Sequence, residues 1–211
     1  LNIVPSIAKS WEISEDRLIY TFHLRTDVFF QDDAAFAGGK GRQIKAEDVV
    51  YSFNRIIDKQ TASPGAWIFN RKVDSVNGFK VIDDSSFQLK LVRPYMPILG
   101  ILSMQYCSIV PKEAVEKYGS DFRQHPVGSG PFAFVAWEEG QALILKKNKN
   151  YFEKDSTGKR LPYLDGIKVS FYDSKATEFL LFRQKQIDFI NDMESSFKDE
   201  VLTKKGELRK N

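Results

Sequence analysis

Three times along this chain a short polar cluster splits a pair of runs in which apolar and polar residues alternate. Residues 11–14 and 19–25 flank Glu15-Asp16-Arg17, residues 80–82 and 87–91 flank Asp83-Asp84-Ser85, and residues 131–137 and 142–147 surround Glu138-Glu139-Gly140. Alternation with a period of two places every second side chain on one face of a strand, and a tight polar turn between two strands makes an antiparallel hairpin. In the first hairpin Tyr20, Phe22 and Leu24 share one face, while Thr21, His23 and Arg25 take the other. A doubly wound parallel sheet would instead alternate strands with crossover helices. The expected class is therefore mixed α+β.

Helices interrupt the hairpins at a few places. In "AEDVVYSFNRIID", residues 46–58, Val49, Val50, Phe53, Ile56 and Ile57 recur at helical spacing, with acids in the first turn. The stretch "PYMPILGILSMQYCSIVPKEAVEKYG" reads as a short apolar helix, a short strand ending at Val110, and a helix from Lys112 closed by Gly119. Further on, a strand over 167–172 leads into a helix over 175–184 and a short strand over 187–190. A long loop, "QDDAAFAGGKGRQIKAEDV", joins the first hairpin to the first helix with no role evident from its residues.

Several functional classes lose support. With 31 basic against 28 acidic residues the net charge is +3, and no basic face suits nucleic acid. Cys107 is the sole cysteine and reads as a small buried apolar residue, so neither a disulfide nor a cysteine metal site can form within the chain. His23 and His125 lack metal-ligand spacing, and no cofactor or metal is expected. Asp32-Asp33, Glu47-Asp48 and Asp83-Asp84 fit capping and turns better than acid/base pairs. The glycine-rich "HPVGSGPFAFVAW", residues 125–137, lacks the third glycine of a dinucleotide loop and the Lys-Ser/Thr of a P-loop. It also lacks the spacing of a nucleophile elbow around Ser129. Its glycines read as conformational, with Gly128 or Gly130 expected at positive φ ahead of Pro131. No catalytic residue is assigned. The enzymatic alternative is a hydrolase using Ser129 or a carboxylate pair.

Aromatic residues are abundant, with 17 Phe, eight Tyr and three Trp, and most fall at core-periodic positions. Trp67 differs, since "TASPGAWIFNR" sets it just after Ser63, Pro64 and Gly65. Two readings stand: an exposed indole against a ligand, or a ring folded over the domain's own core. The chain starts at Leu1 without a secretory signal and contains no apolar run near 18 residues, so a processed chain or a piece of a longer one is expected.

The order of motifs resembles a known family. "PSIAKSWEISEDRLIYTFHLRTDVFFQDD", "KAEDVVYSFNRIID", "SPGAW", "SSFQLKLVRPY", "SIVPKEAVEKYG", "PVGSGPFAFVAWEEGQALILKKNKNYF" and "YLDGIKVSFYDSKATEFLLFRQKQIDFI" follow one another as in the extracytoplasmic solute-binding proteins of oligopeptide, dipeptide and nickel ABC importers. The resemblance implies a type II periplasmic-binding-protein-like fragment. Residues 1–124 would form a hairpin-rich extra subdomain and residues 125–211 part of the first ligand-binding lobe, with the second lobe outside this sequence. It implies a peptide or similar small solute as ligand, with Trp67 on the ligand side. The partner would be an ABC transporter permease, and the setting periplasmic or extracytoplasmic, with a signal or lipid anchor beyond this stretch. A non-transport extracytoplasmic interaction domain is the other non-enzymatic alternative.

Overall fold

The structure, a computed structural model, describes residues 2–74 and 76–209. Leu1, and the Lys210 and Asn211 of the final basic cluster, lie outside the described residues. Packing divides the chain into two compact units. One comprises Leu1–Phe134 and Leu145–Ile167, the other Val135–Ile144 and Lys168–Asn211.

The first unit is built on the two expected hairpins. Strands β1 (Ala8–Ile13), β2 (Ile19–Leu24), β3 (Phe79–Asp83) and β4 (Ser86–Lys90) form one antiparallel sheet in the order β1-β2-β4-β3. The register sets Tyr20 against Leu89 and Phe22 against Phe87, so the apolar faces coincide. Tyr20, Phe22 and Leu24 are buried, and their alternate neighbours are not. In the first turn Asp16 accepts from the Leu18 amide at 3.0 Å, and Arg17 adopts φ 57°.

Helix α1 (Ala46–Ile57) lies on this sheet. Phe53 is its centre, with ring centroids 5.2 Å from Phe69, 5.3 Å from Phe79 and 6.0 Å from Phe87, the latter two edge-on. Such tilted contacts add to the burial of four large rings. The helix start is fixed by Asp48, whose carboxylate accepts from the Lys45 amide at 2.8 Å, one limb of a capping box.

The long loop after β2 has a structural role that its sequence did not disclose. Phe36 and Ile44 join Val28, Phe30, Ala114 and Val127 in a second apolar cluster. Arg42 closes it. Its guanidinium grips Asp48 at 2.7 and 2.8 Å and Glu113 at 2.6 and 2.9 Å, tying the loop to α1 and to α3 (Lys112–Tyr118).

Three local expectations are corrected. No strand ends at Val110. The short helix α2 (Ile98–Leu102) is followed by a 3-10 turn, Gln105–Cys107, whose backbone bonds run locally from Cys107 to Met104 and from Ser108 to Gln105. Residues 187–190 are not a strand either, and Phe189 there is 79% exposed. Gly128 and Gly130 are not among the glycines at positive φ, and a side chain at either would meet open space. What the turn supplies is carbonyls. Gly128 accepts from the Gln31 amide at 2.8 Å, and Gly130 accepts from the side chains of Gln31 at 3.3 Å and Asn148 at 2.8 Å.

The second half of the chain forms a three-stranded sheet of β5 (Phe132–Glu138), β6 (Ala142–Lys147) and β7 (Gly166–Ser170), in that order. Gly140, at φ 73°, makes the β5–β6 turn. In the second unit α4 (Lys175–Arg183) is capped by Ser174, whose hydroxyl accepts from the Thr177 amide. Its buried Phe179 stacks on Phe197 just before α5 (Lys198–Val201), 4.5 Å between centroids. Among the described residues no helix is long and apolar enough to cross a membrane.

Candidate functional site

The loop that carries Trp67 is held by its own polar residues. Asp58, at the end of α1, accepts from the Gln60 and Thr61 amides, and the Ser63 hydroxyl accepts from the Gly65 amide at 3.1 Å. A 3-10 turn, Ala66–Ile68, follows. Ile68 is fully buried and Phe69 is 1% exposed, so the positions after Trp67 anchor the turn in the main core. The indole of Trp67 is left 50% exposed.

Gly65 is needed for the packing beside it. A Cβ there would fall 2.8 Å from Cδ1 of Tyr106, so only glycine lets that ring lie on the loop backbone. Tyr106 then meets the Trp67 indole edge-on, 6.2 Å between centroids at 80°. On another side Lys72 donates to the Trp67 carbonyl at 2.9 Å. Its ammonium lies 5.9 Å from the Trp67 ring centroid and 5.6 Å from that of Tyr95. The Val92 amide donates to the Lys72 carbonyl at 2.9 Å, which brings the Tyr95 segment alongside. The result is an aromatic surface with a cation beside it.

The other candidate residues sit in structural roles. Ser129 is buried in the Gly/Pro turn, and among the described residues no hydrogen bond joins it to a histidine or a carboxylate. Asp32 accepts from Lys40 at 2.7 Å and the Gly41 amide at 3.0 Å, which hold its carboxyl below the usual range. Asp33 accepts from the Ala35 amide and the Tyr118 hydroxyl, Asp83 from the Ser85 amide, and Asp84 pairs with Lys45 at 3.0 Å. His23 lies between Ser86 and Glu12 on the strand face, and His125 stacks on Tyr118 at 4.3 Å. Cys107 is buried, and desolvation pushes its thiol up to about 12. Among the described residues no three His, Cys, Asp or Glu side chains cluster as metal ligands. An apolar cavity of about 460 Å³ runs into the first unit's core past Trp11, Phe22, Phe53 and Leu99.

Sequence reasoning singled out Trp67 but none of its surroundings. Tyr95 and Tyr106 reach it through long-range packing, whereas Lys72 lies five residues on and carries no sequence signal that ties it to the indole. Arg42, Gln31 and Asn148 were missed for the same reason, since their partners lie up to 101 residues away.

The described residues form a hairpin-rich platform that presents the aromatic Trp67 loop. Its fold is that of type II periplasmic binding proteins. The chain belongs to the bacterial extracellular solute-binding proteins of family 5: residues 2–210 match the family described as "Bacterial extracellular solute-binding proteins, family 5 Middle". It is 32% identical over 163 residues to the dipeptide-binding protein of Escherichia coli, which covers 72% of this chain and 30% of that protein. To heme-binding protein A of Haemophilus influenzae it is 30% identical over 201 residues, covering 90% of this chain and 35% of that one. Among solved structures, the ABC transporter-associated periplasmic binding protein DppA from Helicobacter pylori, in complex with the peptide STSA, superposes with a TM-score of 0.80 at 29% identity. That match covers 94% of this chain and 40% of the other. The chain thus spans about a third of the length of the curated relatives it matches.

Proposed function

We propose that this chain is part of the solute receptor of an ABC importer, and that the receptor binds peptides in a cleft between two lobes and delivers them to a membrane permease. The observation that carries the reading is the likeness, over most of the chain, to proteins named for dipeptide binding or solved with a bound peptide. In this reading residues 1–124 are most of an extra subdomain, residues 125–211 are part of the first lobe, and the second lobe lies in sequence beyond this chain. The receptor is periplasmic or extracytoplasmic and is held near the membrane by a signal or lipid anchor outside this stretch. It performs no reaction. Binding energy stabilises the closed arrangement of lobes that the permease recognises.

Trp67 is the ligand-binding residue of this reading. A half-exposed indole on a turn anchored by Ile68 and Phe69 offers a flat apolar surface at little entropic cost, because the backbone beneath it is already ordered. A second reading, a haem-sized ligand, is favoured only by the likeness to heme-binding protein A. Titration of the full-length receptor with a pool of di- to pentapeptides, and separately with hemin, tests both. Trp67→Phe is expected to weaken peptide binding several-fold and to abolish most of the ligand-induced fluorescence change. Equal affinity and equal fluorescence response in wild type and variant would remove Trp67 from the site, and binding of hemin without peptide would favour the second reading.

A further inference from the structure

Among the described residues no carboxylate pairs with the ammonium of Lys72. Among the described residues its polar partner is the Trp67 carbonyl, and the rings of Trp67 and Tyr95 flank it. The nearest acid in sequence, Asp74, is engaged elsewhere, since its Oδ1 accepts from the Val76 and Asn77 amides at 2.8 and 2.9 Å. Its other near neighbour in sequence, Arg71, adds positive charge. An ammonium carries three donors, and one is spent on the carbonyl.

This arrangement suits a site more than a structural pair. A lysine needed only to tie down the 3-10 turn would use its hydrogen bond to the Trp67 carbonyl and leave its head in water. Here the ammonium also lies 5.9 and 5.6 Å from the centroids of two aromatic rings, so an anion that pairs with it would bring its own apolar part against those rings. The half-exposed indole lies beside it. We propose that Lys72, held between Trp67 and Tyr95, is the residue that takes a carboxylate of the solute while the Trp67 indole covers the solute's adjoining apolar part. The inference rests on the reading of Trp67 as ligand-facing, and it adds the ligand's chemistry: an anionic end rather than a neutral one.

The test uses the full-length receptor and two peptide pools that differ in one group, tri- and tetra-peptides as free C-terminal acids and the same peptides as C-terminal amides. A third pool, amidated but with one Glu side chain, separates a terminal from a side-chain carboxylate. Lys72→Met keeps the stem between the rings and removes the charge, and thermal melting of the variant checks that the fold is kept. Wild type is expected to prefer at least one carboxylate-bearing pool over the plain amides by about tenfold or more, and Lys72→Met to erase that preference. A purely structural lysine would lower the melting temperature without touching the acid-over-amide ratio. If Trp67→Phe weakens binding while Lys72→Met keeps the ratio, the Lys72 assignment falls and the ligand-facing loop survives. If neither substitution changes affinity, or no pool binds, both fall.

Discussion

Replacing Arg42 with methionine tests whether the loop after β2 is held by charge. The guanidinium makes four hydrogen bonds to two carboxylates, and Asp48, the partner it shares with the start of α1, is 2% exposed. In Arg42→Met the Asp48 carboxylate keeps the Lys45 amide at 2.8 Å and loses both charged donors. Removing one member of a buried ion pair costs about 3–5 kcal/mol, and because Arg42 itself is 32% exposed the lower end, about 3 kcal/mol, is expected here. The Glu113 limb is more exposed, so Glu113→Gln alone should cost less than about 1 kcal/mol. Methionine can still lie against Phe30, where the guanidinium now sits 5.4 Å from the ring, so the loss reports charge rather than packing. Urea unfolding at pH 7 supplies the measurement, and the double variant Arg42→Met, Asp48→Asn should regain part of the loss because the uncompensated charge is gone. Acid gives an independent arm. The Arg42 hydrogen bond holds the Glu113 carboxyl below its usual range. Its stabilisation is therefore full above the unfolded value of about 4.3 and is lost as pH falls through the lower folded value, making Arg42→Met the less acid-sensitive protein in that window. A loss below about 1 kcal/mol, or a double variant no more stable than the single, would show that charge at Arg42 does not hold the loop.

Two further outcomes follow from local packing. Gly41→Ala should destabilise strongly in thermal melts, because its Cβ would sit 1.9 Å from the Phe30 carbonyl oxygen, while Gly130→Ala should change stability by less than about 1 kcal/mol since its Cβ meets nothing. Equal melting curves for the two would contradict the close approach at Gly41. Cys107 should resist a thiol reagent at pH 8 in the folded protein and react once urea unfolds it, and rapid labelling of the native protein would contradict its burial.

The hairpins were legible because period-two runs and polar turn clusters are local signals. Tyr20, Phe22 and Leu24 could be assigned to one face with no knowledge of β4, which supplies Phe87 and Leu89 from far along the chain. Helix α1 was legible for the same reason, with Ala46 its first residue as expected. The errors came where apolar runs carried no period. "QYCSIV" has the composition of a strand but closes into a 3-10 turn, because Cys107 and Ser108 find carbonyls three residues back rather than a partner strand. At the glycine-rich turn the sequence marked the right place for the wrong reason. Gly128 and Gly130 matter through carbonyls accepting from Gln31 and Asn148, and no feature of the turn itself names those donors. Trp67 stood out by its loop context, whereas the rings of Tyr95 and Tyr106 were brought to it only by the tertiary fold.

We propose that this chain supplies one wall of a ligand cleft whose other wall lies in sequence beyond it. A cleft receptor gains affinity by excluding water from both sides of its ligand and satisfying the ligand's charged groups, and one wall leaves those groups wet. Isothermal titration calorimetry of residues 1–211 and of the full-length receptor, each with the same di- to pentapeptide pool, measures this directly. Saturable heat is expected from the full-length receptor alone; micromolar or tighter binding by residues 1–211 would place the whole site within this chain.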